Sequence, residues 1–130
     1  MTSLAQEARH SVVELHQLIE QIFNHSNDSD AMSLFLSHFH PEFTMVTPQG
    51  AALNFNDTEA LFRRLQGARE GMRIATCEHR LISSHEKEVT VQYREIQMMN
   101  GESHSRIAVA VLDFSSRVPR WRYLQETRVV

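Results

Sequence analysis

The chain has 130 residues, 42% hydrophobic and 22% charged, with a formal net charge of −3. That length suits one compact domain over residues 1–130, able to bury roughly two thirds of its unfolded surface, and the mild acidity excludes the clustered basic surface that phosphate-backbone binding needs, so no nucleic-acid partner is expected. Cys77 is the single cysteine, which rules out an internal disulfide and a cysteine-built zinc site.

From Leu4 to Phe23 the residues Ala5, Ala8, Val12, Leu15, Leu18, Ile19, Ile22 and Phe23 recur at three- and four-residue steps. This predicts a long amphipathic helix with Ser3 as its N-cap. Glu7 and Glu14 fit neither the basic start nor the unbroken apolar run of a secretory signal, and no segment approaches the ~18–20 apolar residues of a membrane span. A cytoplasmic location with no membrane partner is the expectation. Ser29 or Asp30 caps a second helix with the stripe Met32, Phe35, Leu36 and Phe39, stopped by Pro41. Phe43–Thr47 reads as a strand, Pro48-Gln49-Gly50 as a turn and Ala51–Phe55 as the return. Asn56-Asp57-Thr58 then caps a third helix, Glu59–Gln66, carrying Leu61, Phe62 and Leu65.

Everything after Met72 reads as sheet, in four strands over 72–83, 88–99, 103–114 and 120–129, with Asn100-Gly101 as a strong hairpin signal. Helices first and sheet afterwards give an α+β fold: N-terminal helices packed on a strongly curved antiparallel β-sheet.

The second of these strands is unusual. Val89 and Val91 begin an apolar face that Tyr93, Glu95 and Gln97 continue with hydrogen-bonding groups, because strand side chains share a face at every second residue. Such a face describes a pocket for a small organic molecule. Treating Asn100-Gly101-Glu102 as a loop with one extra residue pairs Gln97 with Ser105, Glu95 with Ile107 and Tyr93 with Val109. The same parity adds Thr76, Glu78 and Ile82 from the preceding strand and Trp121, Tyr123 and Gln125 from the last one. The opposite face then carries Arg94, Ile96, Met98, Arg106, Ala108, Ala110, Leu112 and Leu124. A strict two-residue Asn-Gly turn would instead set Gln97 opposite His104, and a slip of one residue exchanges the faces of a whole strand.

Four segments carry a family resemblance: His40-Pro41-Glu42-Phe43-Thr44-Met45-Val46, Gly50 in the first hairpin, Tyr93-Arg94-Glu95-Ile96-Gln97, and Trp121-Arg122-Tyr123-Leu124. In element order and in these segments the chain resembles the nuclear transport factor 2-like superfamily, with its ketosteroid isomerases, scytalone dehydratase and SnoaL-like cyclases, and above all that superfamily's small bacterial domains. The resemblance implies a cystatin-like cone with a pocket at its open end and a homodimer formed through the outer sheet face.

The candidate ligand-binding residues are therefore Glu78, Tyr93, Glu95, Gln97, Val109, Trp121, Tyr123 and Gln125. Within them Glu95 is the candidate acid/base, since a carboxylate on a mostly apolar face acquires a raised pKa; the alternative is a structural ion pair with Arg94, Arg80 or another arginine. Tyr93 and Tyr123 are candidate hydroxyl donors to a carbonyl or oxyanion, or packing residues with satisfied hydroxyls. His38, His40 and Glu42 suit a metal by type, but no second ligand pair accompanies them, and the sequence has no phosphate-binding glycine loop. Neither metal nor cofactor is expected. The leading function is binding of a largely apolar molecule. The alternatives are a cofactor-independent isomerase, dehydratase or cyclase using Glu95, and a protein-interaction module acting through the sheet face.

Overall fold

Ser3 starts the first helix as expected. Its hydroxyl accepts the Gln6 N–H at 3.2 Å while the Gln6 side chain accepts the Ser3 N–H at 3.0 Å, a reciprocal cap that satisfies two otherwise unpaired donors. The computed structural model describes residues 3–129, so the outermost residues of the expected domain, 1, 2 and 130, lie outside the described residues. In chain order its elements are α1 (Leu4–Asn24), α2 (Ser29–Ser37), β1 (Phe39–Val46), β2 (Ala52–Asn54), α3 (Phe55–Arg64), β3 (Arg73–His85), β4 (Glu88–Met99), β5 (Glu102–Asp113) and β6 (Arg120–Arg128). The fold is α+β, with three helices against a curved six-stranded sheet in the order β2-β1-β6-β5-β4-β3. Every neighbouring pair is antiparallel except β1 and β6, which run parallel.

Some boundaries move for local reasons. Asp28, rather than Ser29 or Asp30, caps α2 by accepting the Ala31 N–H at 2.9 Å. That helix ends at Ser37, before Pro41, because the His38 carbonyl accepts the Trp121 N–H at 2.7 Å and commits the chain to the sheet from Phe39 onward. Pro41 lies inside β1. The third helix opens four residues earlier than expected at Phe55, where Asn54 and Asp57 cap each other reciprocally.

The core lies between α1 and the sheet. Val12, Leu15 and Ile22 from α1 meet Val89 and Val91 of β4, Ala108, Ala110 and Leu112 of β5, and Trp121 of β6, all buried. This burial settles the register against the loop with one extra residue. Asn100 and Gly101 form a two-residue turn, both at positive φ, that pairs Met99 with Glu102 and Gln97 with His104. Glu95 consequently faces Arg106, and Tyr93 faces Ala108. The concave face of β5 is Arg106-Ala108-Ala110-Leu112, residues assigned to the outer face above, whereas Ile107, Val109 and Val111 point outward.

Three bulges change the parity further. In β3 Cys77 pairs with Arg94 but Arg80 pairs with Gln92, so two residues oppose Tyr93 and the extra turn is absorbed by Glu78 at φ 54°. Glu78 is thereby turned to the outer face, where its carboxylate accepts from Arg94 Nε at 2.7 Å. Ile82, skipped between the pairs Leu81–Val91 and Ser83–Thr90, is 43% exposed and lines no pocket. In β6 the skip falls at Arg122: Val111 pairs with Tyr123 while Leu112 pairs with Trp121. Trp121 therefore points inward as expected, but the inward residues after it are Leu124 and Glu126, and Tyr123 and Gln125 point out.

Gly67 ties α1 to the loop after α3. Its N–H donates to the Ile22 carbonyl at 2.8 Å, its φ is +65°, and a Cβ there would lie 2.9 Å from the Ser26 backbone. Gly67→Ala should therefore lower stability by about 1–3 kcal/mol, read as a fall in the urea midpoint. An unchanged midpoint would contradict this account of the junction.

Candidate functional site

Between the concave face of the sheet and the helices lies a cavity of about 200 Å³. One end is aromatic: Phe23 of α1, Phe35 of α2, Phe39 and Phe43 of β1, and Phe62 of α3 enclose it, with Phe35 and Phe62 centroids 4.5 Å apart and Phe39 and Phe43 4.4 Å apart. Thr47, Pro48 and Gln49 of the first hairpin turn form part of the lining, as does Arg69, whose guanidinium carbon sits 4.9 Å from the Phe23 ring centroid. At the other end the cavity meets His16, Glu95, Gln97, Arg106 and Glu126.

His16 organises this end. It occupies the apolar stripe of α1, four residues after Val12 and three before Ile19, and is 3% exposed. Its Nδ1 lies 2.8 Å from the Val12 carbonyl, an acceptor only, so Nδ1 carries hydrogen and Nε2 is left to face the site. Nε2 lies 3.2 Å from Glu95 Oε1 and 3.4 Å from the Tyr93 hydroxyl. Gln97 Nε2 donates to the other Glu95 oxygen at 2.6 Å. Arg106 Nη1 reaches Glu126 Oε1 at 3.5 Å, a long contact, and Arg106 Nε and Gln97 Oε1 are buried without a partner among the described residues.

These surroundings split the two carboxyls. Burial pushes the Glu95 carboxyl up, but the His16 charge, hydrogen bonds from His16 and Gln97, and Arg106 outweigh it and bring it down to about 2. Burial also pushes Glu126 up; the adjacent Glu95 carboxylate adds to this, and Arg106 and His16 offset only part, leaving it at about 7. The expected raised carboxyl therefore exists, but it is Glu126 and not Glu95. Burial lowers the His16 imidazole, yet the Glu95 carboxylate overrides this and holds it above its ordinary value. Burial, reinforced by Glu95 and Glu126, keeps the Tyr93 phenol far above 10 and so protonated.

Of the residues expected at the pocket, Glu95 and Gln97 reach the cavity, and Tyr93 touches the site through His16. Trp121 is a buried core residue that does not line the cavity; its Nε1 donates to Ser11 Oγ at 3.0 Å. Glu78, Val109, Tyr123 and Gln125 stand on the other face of the sheet; Tyr123 donates its hydroxyl to Gln125 at 2.7 Å there and has no path to Glu95. The partner of Glu95 is neither Arg94 nor Arg80 but His16. His16, Arg106 and Glu126 were not among the expected site residues. A polar residue on the α1 stripe was a readable signal for the first, while the other two needed the correct register. His38 closes α2 through Leu34, and His40 accepts the Glu42 N–H at 3.0 Å. Among the described residues no group of three or more His, Cys, Asp or Glu side chains is arranged to hold a metal ion, and no helix is long and apolar enough to cross a membrane.

The chain is similar along its length to known structures. An NTF-2 like protein of unknown function from Pseudomonas aeruginosa is 30% identical and superposes with a TM-score of 0.90, covering 95% of this chain and 99% of the other. A candidate dehydratase of the NTF2-like family from Streptomyces avermitilis, 10% identical, has a TM-score of 0.80 over 97% and 96% of the two chains. The beta subunit of a benzoate 1,2-dioxygenase from Burkholderia mallei, 13% identical, reaches 0.76 over 99% and 92%. The last two likenesses concern the fold alone. No family model matches the sequence, and no curated protein matches it.

The split between the carboxyls has a pH signature. Glu126 is raised above its ordinary 4.5, so the stability of its protonated form is fully present below 4.5 and is lost as pH rises to about 7. Glu95 works in the opposite sense, its contribution being present above 4.5 and lost as pH falls toward about 2. Stability should therefore fall between pH 5 and 8 by roughly 2–3 kcal/mol, and Glu126→Gln should remove most of that fall. A wild-type profile flat over this range by chemical denaturation would refute the assignment.

Proposed function

This chain belongs to the nuclear transport factor 2-like family, and from that premise we propose that it binds a small, largely apolar organic molecule in the cavity between sheet and helices. The observation that carries the reading is the division of one cavity into an aromatic end and a buried, hydrogen-bonded polar end, the form that small-molecule sites take. Its volume of about 200 Å³ suits a single-ring ligand, since an engineered cavity of ~150 Å³ admits benzene. Mass action then predicts that single-ring compounds raise the melting temperature in proportion to the logarithm of their concentration. Phe43→Ala, which opens the aromatic end, should weaken that response by about 10-fold or more. A wholly flat panel would sink the reading.

A second reading, proton transfer in an isomerase, dehydratase or cyclase, is favoured by one observation: Glu126, a buried carboxyl pushed up to about 7, lies beside the buried His16–Glu95 pair. In this reading Glu126 is the acid/base, Glu95 orients His16, Tyr93 packs behind His16, and Arg106 polarises the substrate oxygen. Glu126→Gln should then cost 100-fold or more in turnover while ligand binding persists, whereas a purely binding protein shows no turnover to lose.

The half-buried apolar residues on the outer face, among them Ile96, Ile107, Val109 and Val111, support pairing with a second copy through the sheet. Arg94 and Glu78 sit on that same face.

A further inference from the structure

We infer that the polar end of the cavity takes a carboxylate, so that the ligand is a small apolar monocarboxylate bound together with one proton. This rests on the reading of the cavity as a binding site and names the ligand class for it. The argument starts from which hydrogen-bonding groups are already used. Glu95 has both oxygens occupied, one by His16 at 3.2 Å and one by the Gln97 amide at 2.6 Å. What remains is mostly donors. Arg106 Nε is buried without an acceptor, and the guanidinium reaches Glu126 only at 3.5 Å. A buried donor without an acceptor is costly, so the cluster lacks one oxygen acceptor. Among the described residues the cluster's buried side-chain acceptor without a partner is Gln97 Oε1.

Charge then selects among oxygen acceptors. The groups facing Glu126 are Glu95 of β4, His16 of α1 and Arg106 of β5, with His104 beside Arg106 at 3.3 Å and Arg69 further along the cavity wall. His104 is held below its ordinary value by burial and by the nearby arginines, and stays neutral at physiological pH. With His16 and Arg106 cationic, Glu95 anionic and Glu126 carrying its proton, the cluster holds one excess positive charge. A carboxylate cancels it, accepting from Arg106 and from the Glu126 hydroxyl at once. An organic cation would add to the excess, and a ketone would fill the acceptor position but leave the charge uncompensated. Once Glu126 ionises the excess vanishes and the ligand carboxylate meets a bare carboxylate instead. Binding of the anion and protonation of Glu126 therefore support each other, as linkage requires.

The test uses four probes of matched size: phenylacetate, acetophenone, ethylbenzene and phenethylamine, titrated calorimetrically into the 130-residue chain. Phenylacetate should bind tightest at pH 6 and lose about 10-fold in affinity per pH unit above 7, since one proton is taken up per ligand. Repeating the pH 8 titration in two buffers of different ionisation enthalpy should count about one proton absorbed. Glu126→Gln, which keeps a neutral donor, should hold the pH 6 affinity out to pH 8. Tighter binding of acetophenone, ethylbenzene or phenethylamine than of phenylacetate overturns the inference while leaving the binding site standing. Phenylacetate affinity that is flat or rising with pH, with no proton uptake, also overturns it. If none of the four binds at any pH, the binding reading itself fails. Should the variant not fold, proton counting on the wild type decides alone.

Discussion

Four ionisable side chains meet inside this fold, and the contact between His16 and Glu95 determines how the other two behave. Taking a carboxylate and an imidazolium out of water costs several kcal/mol each, which their attraction repays only where geometry is good and the remaining polar atoms are satisfied. Here the condition is met on both sides. Val12 fixes one imidazole nitrogen, Gln97 fills the second carboxylate oxygen, and the pair closes at 3.2 Å. The pair joins α1 to β4 across the core, so the helix cannot rotate about its axis or slide by a residue without stranding a buried charge. Its neighbours inherit the consequence: Glu126, buried next to the Glu95 carboxylate, is pushed up to about 7.

That arrangement depends on a single residue of register. The two-residue Asn100-Gly101 turn puts Arg106 opposite Glu95 and lines β5 with Ala108, Ala110 and Leu112 against α1. The longer loop would have offered Ile107, Val109 and Val111 to the helix, an equally apolar set, so hydrophobic pattern alone does not choose between them. Two features do. The alanines allow α1 to lie close enough for His16 to reach the sheet, and Arg106 gains Glu126 as a neighbour rather than leaving two carboxyls with one imidazole.

Legibility followed the range of the interactions. The helix of residues 4–24 was written in its own periodicity and its Ser3 cap, and the order of elements sufficed for the family. Boundaries set by distant contacts were not readable, as with α2, which ends where the His38 carbonyl meets Trp121 rather than at Pro41. The bulges at Glu78 and Arg122 are the clearest case. Each adds one residue to a strand for reasons of curvature and three-dimensional packing, and each exchanged the faces of what followed, taking Glu78, Tyr123 and Gln125 out of the pocket and bringing Glu126 in. By contrast Glu95 and Gln97 were found because their strand carries its message locally, polar residues on an apolar face. The same logic applied to α1 marks His16, which interrupts the stripe between Val12 and Ile19.

Binding and proton transfer are less separate in this site than the two names suggest. A group that holds a proton near pH 7 inside an apolar cavity is a hydrogen-bond donor to any oxygen that enters, and becomes an acid once that oxygen develops charge. Which of the two it performs depends on the ligand rather than on the protein. A carboxylate with no labile bond accepts the hydrogen bond and stays. A substrate with an acidic C–H or a leaving hydroxyl meets the same donor, the same guanidinium and the same fixed ion pair, already placed before it arrives. The cost of the arrangement is visible in the structure, where Arg106 Nε has no acceptor among the described residues and a carboxyl is held far from its ordinary titration. A fold selected for stability alone would fill those positions with apolar side chains; the polar, incompletely paired cluster is what the proposed binding reading accounts for.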